Sequence, residues 1–207
     1  MTMIDSTAGA RTARPADREG LNRALSAAFL DDPVFRWLIP EEAERLRLLP
    51  RLFDTMADAF ARHDATRVVS AGDDGAVGGA ALWAPPGVAP VSPEDEAVIA
   101  ERLATEALPY LDKFAALMEV FEAAHPEEPA WFLQFLGVDP ALQGRGLGSR
   151  LLHDVLDVAD RNGEAAYLEA TSERNRALYE RHGFRWVGDL LLPGGPVAYA
   201  MWRDPVT

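Results

Sequence analysis

The chain has 207 residues and a formal net charge of −13. Hydrophobic residues at 48% and charged residues at 26% are ordinary globular values and exclude a disordered chain. So acidic a protein is a poor nucleic-acid binder, because phosphate contacts need clustered Lys and Arg, and the absence of cysteine removes both disulfides and a thiol nucleophile.

No apolar run approaches the roughly 20 residues needed to span a bilayer. The N-terminal stretch MTMIDSTAGARTARPAD lacks the apolar segment of a secretion signal, so the expected location is the cytoplasm, with no membrane partner. Residues 1–9 are expected to be a disordered tail, and residues 10–207 one domain, present as a monomer or homodimer. Arg11–Arg14 reads as a first edge strand, stopped at Pro15. Ala16–Leu30 follows as a helix, with Leu21, Leu25, Ala28 and Phe29 on one face. Asp31-Asp32-Pro33 breaks it, and Val34–Ile39 reads as a short apolar segment. A second helix over Glu41–His63 carries Leu49, Leu52, Phe53, Met56 and Phe60, and Pro50 should kink or divide it.

Thr66–Ala71 and Val77–Trp83 flank Gly72-Asp73-Asp74-Gly75, a hairpin signal. Ser92 and Pro93 open a helical region that runs to Ala124 and is interrupted near Pro109. Val98, Ile99, Leu103, Leu111, Phe114, Leu117, Met118 and Phe121 are expected to face inward there. Between Ser92 and Glu128 ten Asp and Glu residues face only Arg102 and Lys113. That excess is either a solvated face or a surface that attracts cations.

The organising stretch is FLQFLGVDPALQGRGLG, Phe132 to Gly148. Phe132, Leu133, Phe135, Leu136 and Val138 form a nearly continuous apolar run, as a central strand covered on both faces requires. After Gly148, Leu151, Leu152, Val155, Leu156 and Ala159 recur at helical spacing. Gln143-Gly144-Arg145-Gly146-Leu147-Gly148 therefore sits at a strand-to-helix junction, where unpaired helical N–H groups and the helix dipole favour an anion. The Walker pattern fails for want of Gly-Lys-Ser/Thr, and the dinucleotide fingerprint fails because the glycines alternate. Downstream come a strand (Ala165–Ala170), a helix (Ser172–His182), and two strands (Phe184–Leu191 and Pro196–Trp202) around Gly194-Gly195. Alternating strands and helices followed by a hairpin predict an α/β mixed sheet with helices on both faces.

Gln-x-x-Gly-x-Gly resembles the pyrophosphate loop of the GNAT superfamily of N-acetyltransferases, and AYLEATSERNRALYERHGF resembles the second half of that family's core. From Glu128 to Arg203, through EPAWFL, QGRGLGS, LE, RN, YER and GF, the similarity runs most to the puromycin N-acetyltransferases. It fades around FLDDPVFRWLIP, so puromycin as acceptor does not follow. The resemblance implies a mostly antiparallel central sheet with splayed fourth and fifth strands. It also implies acetyl-CoA as co-substrate and an amine as acceptor, either on a small molecule or on a protein or peptide. A non-catalytic acyl-CoA-binding module is the alternative from another class. Co-substrate contacts are implied for the backbone of Leu136, Gly137 and Val138, for Gln143, Gly144, Arg145, Gly146, Leu147, Gly148 and Ser149, and for Asn175 and Tyr179.

Acyl transfer to an amine needs an oxyanion donor, a base for the ammonium and an acid for the leaving thiolate. Asn175 and Tyr179, spaced i, i+4, share a helix face, and the resemblance makes Tyr179 the general acid. A phenol with pKa near 10 keeps its proton at neutral pH, whereas a thiolate of pKa near 8.5 can accept one as it departs. Glu169, on a strand face with Tyr167 and Thr171, is either the general base acting through water or a structural acceptor. Gly137 marks either a bulge that opens the strand or the accommodation of a bulky neighbour. Phe29, Phe35, Trp37 and Trp83 are candidates for the acceptor pocket or for the core. His125, His153 and His182 show no mutual metal spacing, and no metal is assigned.

Overall fold

Eight consecutive buried residues, Val77 to Ala84, mark a strand covered on both faces. A computed structural model describes residues 9–72 and 75–206. In it β1 (Arg11–Thr12), β2 (Arg67–Ser70), β3 (Val77–Ala84), β4 (Ala130–Val138), β5 (Ala165–Ala170), β6 (Arg185–Leu191) and β7 (Val197–Arg203) form one sheet, ordered β1-β2-β3-β4-β5-β7-β6. Only β4 and β5 run parallel; every other pair is antiparallel. The expected mixed, mostly antiparallel sheet is present. The expected tail, apart from Gly9, lies outside the described residues, as do Asp73 and Asp74 of the hairpin turn.

The helices divide between the two faces. α1 (Arg18–Phe29), α2 (Pro33–Leu38) and α3 (Glu42–Ala61) cover one, burying Leu25, Phe29, Phe53 and Phe60 against Val68, Ala80 and Leu82. α6 (Leu147–Asn162) and α7 (Glu173–Glu180) cover the other, where Leu151, Leu152, Val155 and Leu156 meet Trp83, Leu133 and Leu168. Both helical faces follow from apolar spacing of three and four residues. No described helix is long and apolar enough to cross a membrane.

Three expectations need correction. Val34–Ile39 is not merely an apolar segment: Pro33–Leu38 forms α2, because the Asp32 side chain accepts from the amides of Val34 (2.9 Å) and Phe35 (3.2 Å). Pro50 does not divide α3, which runs unbroken from Glu42 to Ala61. Leu46, whose carbonyl loses its partner to the proline, is on the solvent side, where water can replace the lost bond. Finally, α4 (Pro93–Glu106) and α5 (Leu111–Ala124) bury no residue fully, and Val98 and Met118, expected to face inward, are exposed. Ile99, Leu103, Phe114, Leu117 and Phe121 do pack, half-buried, on the α1–α3 face.

Candidate active site

Parallel pairing of β4 with β5 runs from Ala130↔Ala165 to Leu133↔Leu168 and then stops. At that point β4 carries an extra residue: Leu82 faces Phe135 and Trp83 faces Leu133, so Gln134 has no counterpart in β3. A bulge of this kind bends its strand. Phe135–Val138 stays paired to β3, while Glu169 and Ala170 of β5 keep only their pairing with β7. The two parallel strands splay, and among the described residues no strand covers the β4 edge at Leu136, Gly137 and Val138. That edge presents backbone N–H and C=O groups to a ligand.

The bulge is at Gln134 and not at Gly137. A Cβ on Gly137 would stand 2.8 Å from the Ala28 Cβ and 2.9 Å from the Leu25 Cδ2, so this glycine lets α1 lie close on β4. Of the two readings for Gly137, accommodation of a neighbour is the one observed. Leu136 and Val138 point to the opposite face, into the core under α6.

The loop beyond Val138 is braced from within. Asp139 donates its amide to the Gly78 carbonyl (2.9 Å) and accepts the Ala141 amide on its side chain (2.9 Å). The Gln143 carboxamide donates to the Val138 carbonyl (3.1 Å) and accepts from Arg174 (3.1 Å), strapping the loop to α7. Its side chain is thus committed to structure. Gly144 and Gly146 adopt φ of +77° and +78°, the left-handed region that side chains disfavour. Gly146 caps α6, and the first turn closes from the Arg150 amide to the Gly146 carbonyl at 3.2 Å. The amides of Leu147, Gly148 and Ser149 precede that ladder and are open to an anion. Leu147 buries its side chain and can offer only backbone, Gly148 packs at ordinary distance from Leu178 and Leu136, and Arg145 extends into solvent near the Ala141 carbonyl. Ser149 Oγ lies 2.9 Å from His182 Nε2.

Tyr179 and Asn175 occupy α7, which begins where the Ser172 hydroxyl accepts the Asn175 amide at 3.2 Å. Tyr179 is 7% exposed, with its ring edge-on to Phe184. Its hydroxyl makes no hydrogen bond among the described residues. Burial, and then the nearby Asp32 charge, drive its pKa above the usual tyrosine range. Asn175 Nδ2 donates to Thr171 Oγ1 at 3.2 Å, and the Thr171 hydroxyl donates to Asp32 Oδ2. Burial pushes the Asp32 carboxyl up, opposed by the Thr171 hydroxyl and the amides of Phe35 and Val34. Asp32 therefore joins the site, although the sequence reading took it only as a helix break. The pattern Asp-Pro at a helix start could have flagged it as a cap.

Glu169 lies on the other face of β5, half-buried beside Tyr167 and Thr171, as alternation requires. Burial pushes its carboxyl up to about 8, against the opposing pull of the Tyr167 hydroxyl. Tyr167 is itself driven above its usual range by burial and by Glu169, and its hydroxyl donates to the Ala124 carbonyl at the end of α5 (3.3 Å). His125 closes the group, edge-on to Phe132 and Tyr167 at 4.9 and 5.4 Å, its pKa lowered by burial.

The other aromatic candidates are mostly core. Trp83 is fully buried under α6, and Phe29 and Phe35 pack edge-on to each other at 5.4 Å. Trp37 is half-buried and covered by Gly195, where a Cβ would stand 2.8 Å from its ring. His153 and His182, distant in sequence, meet edge-on at 4.8 Å, while His125 lies apart from them. Among the described residues no three His, Asp or Glu side chains gather as a metal site requires.

The chain is similar to known proteins in sequence and in fold. N-alpha-acetyltransferase RimI of Mycobacterium tuberculosis is 45% identical over 74 residues, 33% of this chain and 46% of that protein. Mycothiol acetyltransferase of Beutenbergia cavernae is 44% identical over 62 residues, 28% of this chain and 21% of that protein. The chain thus spans less than half the length of these curated relatives. Among solved structures, a Corynebacterium glutamicum protein titled histone acetyltransferase HPA2 and related acetyltransferase shares 28% identity with a TM-score of 0.69, covering 97% of both chains. The profile of the acetyltransferase (GNAT) family matches residues 24–184, which take in the splayed strands, the glycine loop and Tyr179. The chain belongs to the acetyltransferase (GNAT) family.

Proposed function

We propose that this protein transfers an acetyl group from acetyl-CoA to an amine on a small molecule. The observation that carries the reading is the juxtaposition of the uncovered β4 edge, from Leu136 to Val138, with the open amides of the glycine loop. An extended amide-bearing chain fits the first, and a pyrophosphate fits the second, where Arg145 adds charge. In this reading Asn175 and Tyr179 of α7 serve the same gap from one side, and Glu169 of β5 from the other.

In this assignment the amine nitrogen forms a C–N bond to the thioester carbonyl carbon as the C–S bond breaks. An amide of the β4 edge donates to the carbonyl oxygen while charge builds there. Glu169 takes the proton from the attacking amine through water, and Tyr179 gives its proton to the departing sulfur. The raised pKa of Tyr179 keeps it protonated in the resting protein, so its proton is delivered only as charge develops on sulfur. The free hydroxyl of Tyr179 also argues against a module that only binds acyl-CoA.

A second reading, acetylation of a protein or peptide amine, is favoured by the match to RimI. A thiol-release assay with acetyl-CoA against small amines and peptides with free N-termini tests both. Turnover of small amines alone supports the first reading, and turnover of peptides alone replaces it with the second. Binding of CoA with no thiol release from any amine would overturn the enzymatic reading.

A further inference from the structure

We infer that Asp32 is a positioning residue that sets the hydrogen-bond polarity of the site, turning the Asn175 carboxamide so that its carbonyl oxygen faces the bound co-substrate. The inference rests on the proposed acetyl-CoA reading and adds to it a residue on the other side of the gap, between α1 and α2.

Asp32 is 7% exposed, and its Oδ1 is held by the amides of Val34 and Phe35, so the carboxylate cannot turn and water has little access. Its Oδ2 can only accept, and it receives the Thr171 hydroxyl. A hydroxyl has one proton, so Thr171 Oγ1, having spent it on Asp32, must accept from its other neighbour. That neighbour is Asn175, whose only donor is its NH2 group, observed at 3.2 Å. The NH2 is thereby directed toward Thr171, and Asn175 Oδ1 is left to accept from a ligand N–H. The side chain of an asparagine alone would leave the two orientations equivalent, and the carboxylate two bonds away decides between them. Coenzyme A carries two amide N–H groups in its pantetheine arm, which are donors of the required kind.

The test measures CoA binding by calorimetry, without turnover. Thr171→Val removes the relay at nearly constant volume and should weaken CoA about tenfold, the cost of one buried hydrogen bond misdirected. Thr171→Ser keeps the hydroxyl and should bind within about twofold of the parent. Asp32→Asn should match Thr171→Val, because the new NH2 donates to Thr171 and sends the hydroxyl proton toward Asn175. The double variant Asp32→Asn/Thr171→Val should be no weaker than Thr171→Val, since both act through one relay.

CoA analogues N-methylated at one or the other pantetheine amide separate positioning from mere support of α2. One of the two should bind the parent about tenfold more weakly than CoA, and that penalty should vanish in Thr171→Val. If Asp32→Asn does not fold, the two Thr171 variants and the analogues carry the test. Parent protein that fails to bind CoA would sink the acetyl-CoA reading itself. Parent protein that binds, with Thr171→Val within twofold of it or with the methyl penalty unchanged, would overturn this inference alone.

Discussion

In the role proposed for it, Glu169 must lose its own proton before it can take one from an amine, and its environment sets the pH at which that happens. With the carboxyl pushed up to about 8 by burial, about 9% is ionised at pH 7 and about 91% at pH 9. The rate constant kcat/KM should therefore rise about tenfold across that interval, at constant ionic strength, in a thiol-release assay. The amine also titrates, so the profile should be recorded with two acceptors of different pKa. A rising limb near pH 8 that stays fixed while the amine's own limb moves belongs to the protein. In Glu169→Gln that fixed limb should disappear, with kcat/KM lowered about 10²–10⁴-fold at pH 9. Stability supplies an independent reading with a definite sign. A carboxyl raised from 4.5 in the folded state contributes stability that is fully present below the unfolded value and lost as pH rises through about 8. The parent Tm should thus fall between pH 5 and pH 9 more steeply than that of Glu169→Gln. A fixed limb that survives in Glu169→Gln would refute the assignment and return Glu169 to a structural role.

Tyr179→Phe should lower kcat by about 10²–10⁴-fold while CoA affinity by calorimetry stays nearly intact, because the ring still packs on Phe184. Full kcat with chemistry limiting would leave Tyr179 a core aromatic. Gly146→Val places a β-branched side chain at φ +78° and should abolish measurable CoA binding; unchanged affinity in a folded variant would remove the loop from the donor site. Gly137→Ala overlaps Leu25 and Ala28 and should cost about 1–3 kcal/mol, a Tm loss of about 2–12 °C in calorimetry, whereas an unchanged Tm would deny the close approach of α1. If the acidic region steers a cationic acceptor, kcat/KM should fall as salt rises, and Glu119→Gln/Glu122→Gln, two exposed carboxylates on α5, should flatten that fall. Rates that rise with salt would make the region a solvated face.

The sequence carried the elements whose signals are local. β5 falls on Ala165–Ala170 as read, and Ser92 caps α4 as its place before Pro93 implied. The glycine loop was legible because handedness and helix start are written in adjacent residues. What escaped depends on distant partners. Asp32 gains its meaning from Thr171, 139 residues away, so periodicity could show only a helix break. The polar relation of α4 and α5 to the core escaped too, since apolar spacing marks which face is drier and not how deeply it is buried. Glu169 was placed on the correct face by alternation, but its raised titration comes from burial, which only the folded chain supplies, against the opposing pull of Tyr167.

The extra residue in β4 has a consequence for how the cleft can change. Gln134 works as a frameshift: Phe132 and Phe135 point to one core, Leu133 and Leu136 to the other, so the strand is read in opposite phase on either side of it. Deleting that position would leave Phe132, Leu133, Phe135 and Leu136 in plain alternation, each still facing its present core. It would also straighten the strand toward β5, closing the space between them like a zip. Replacing the glutamine side chain would do neither. The opening is encoded as a count of residues along the backbone, and it is vulnerable to a change of length rather than of chemistry.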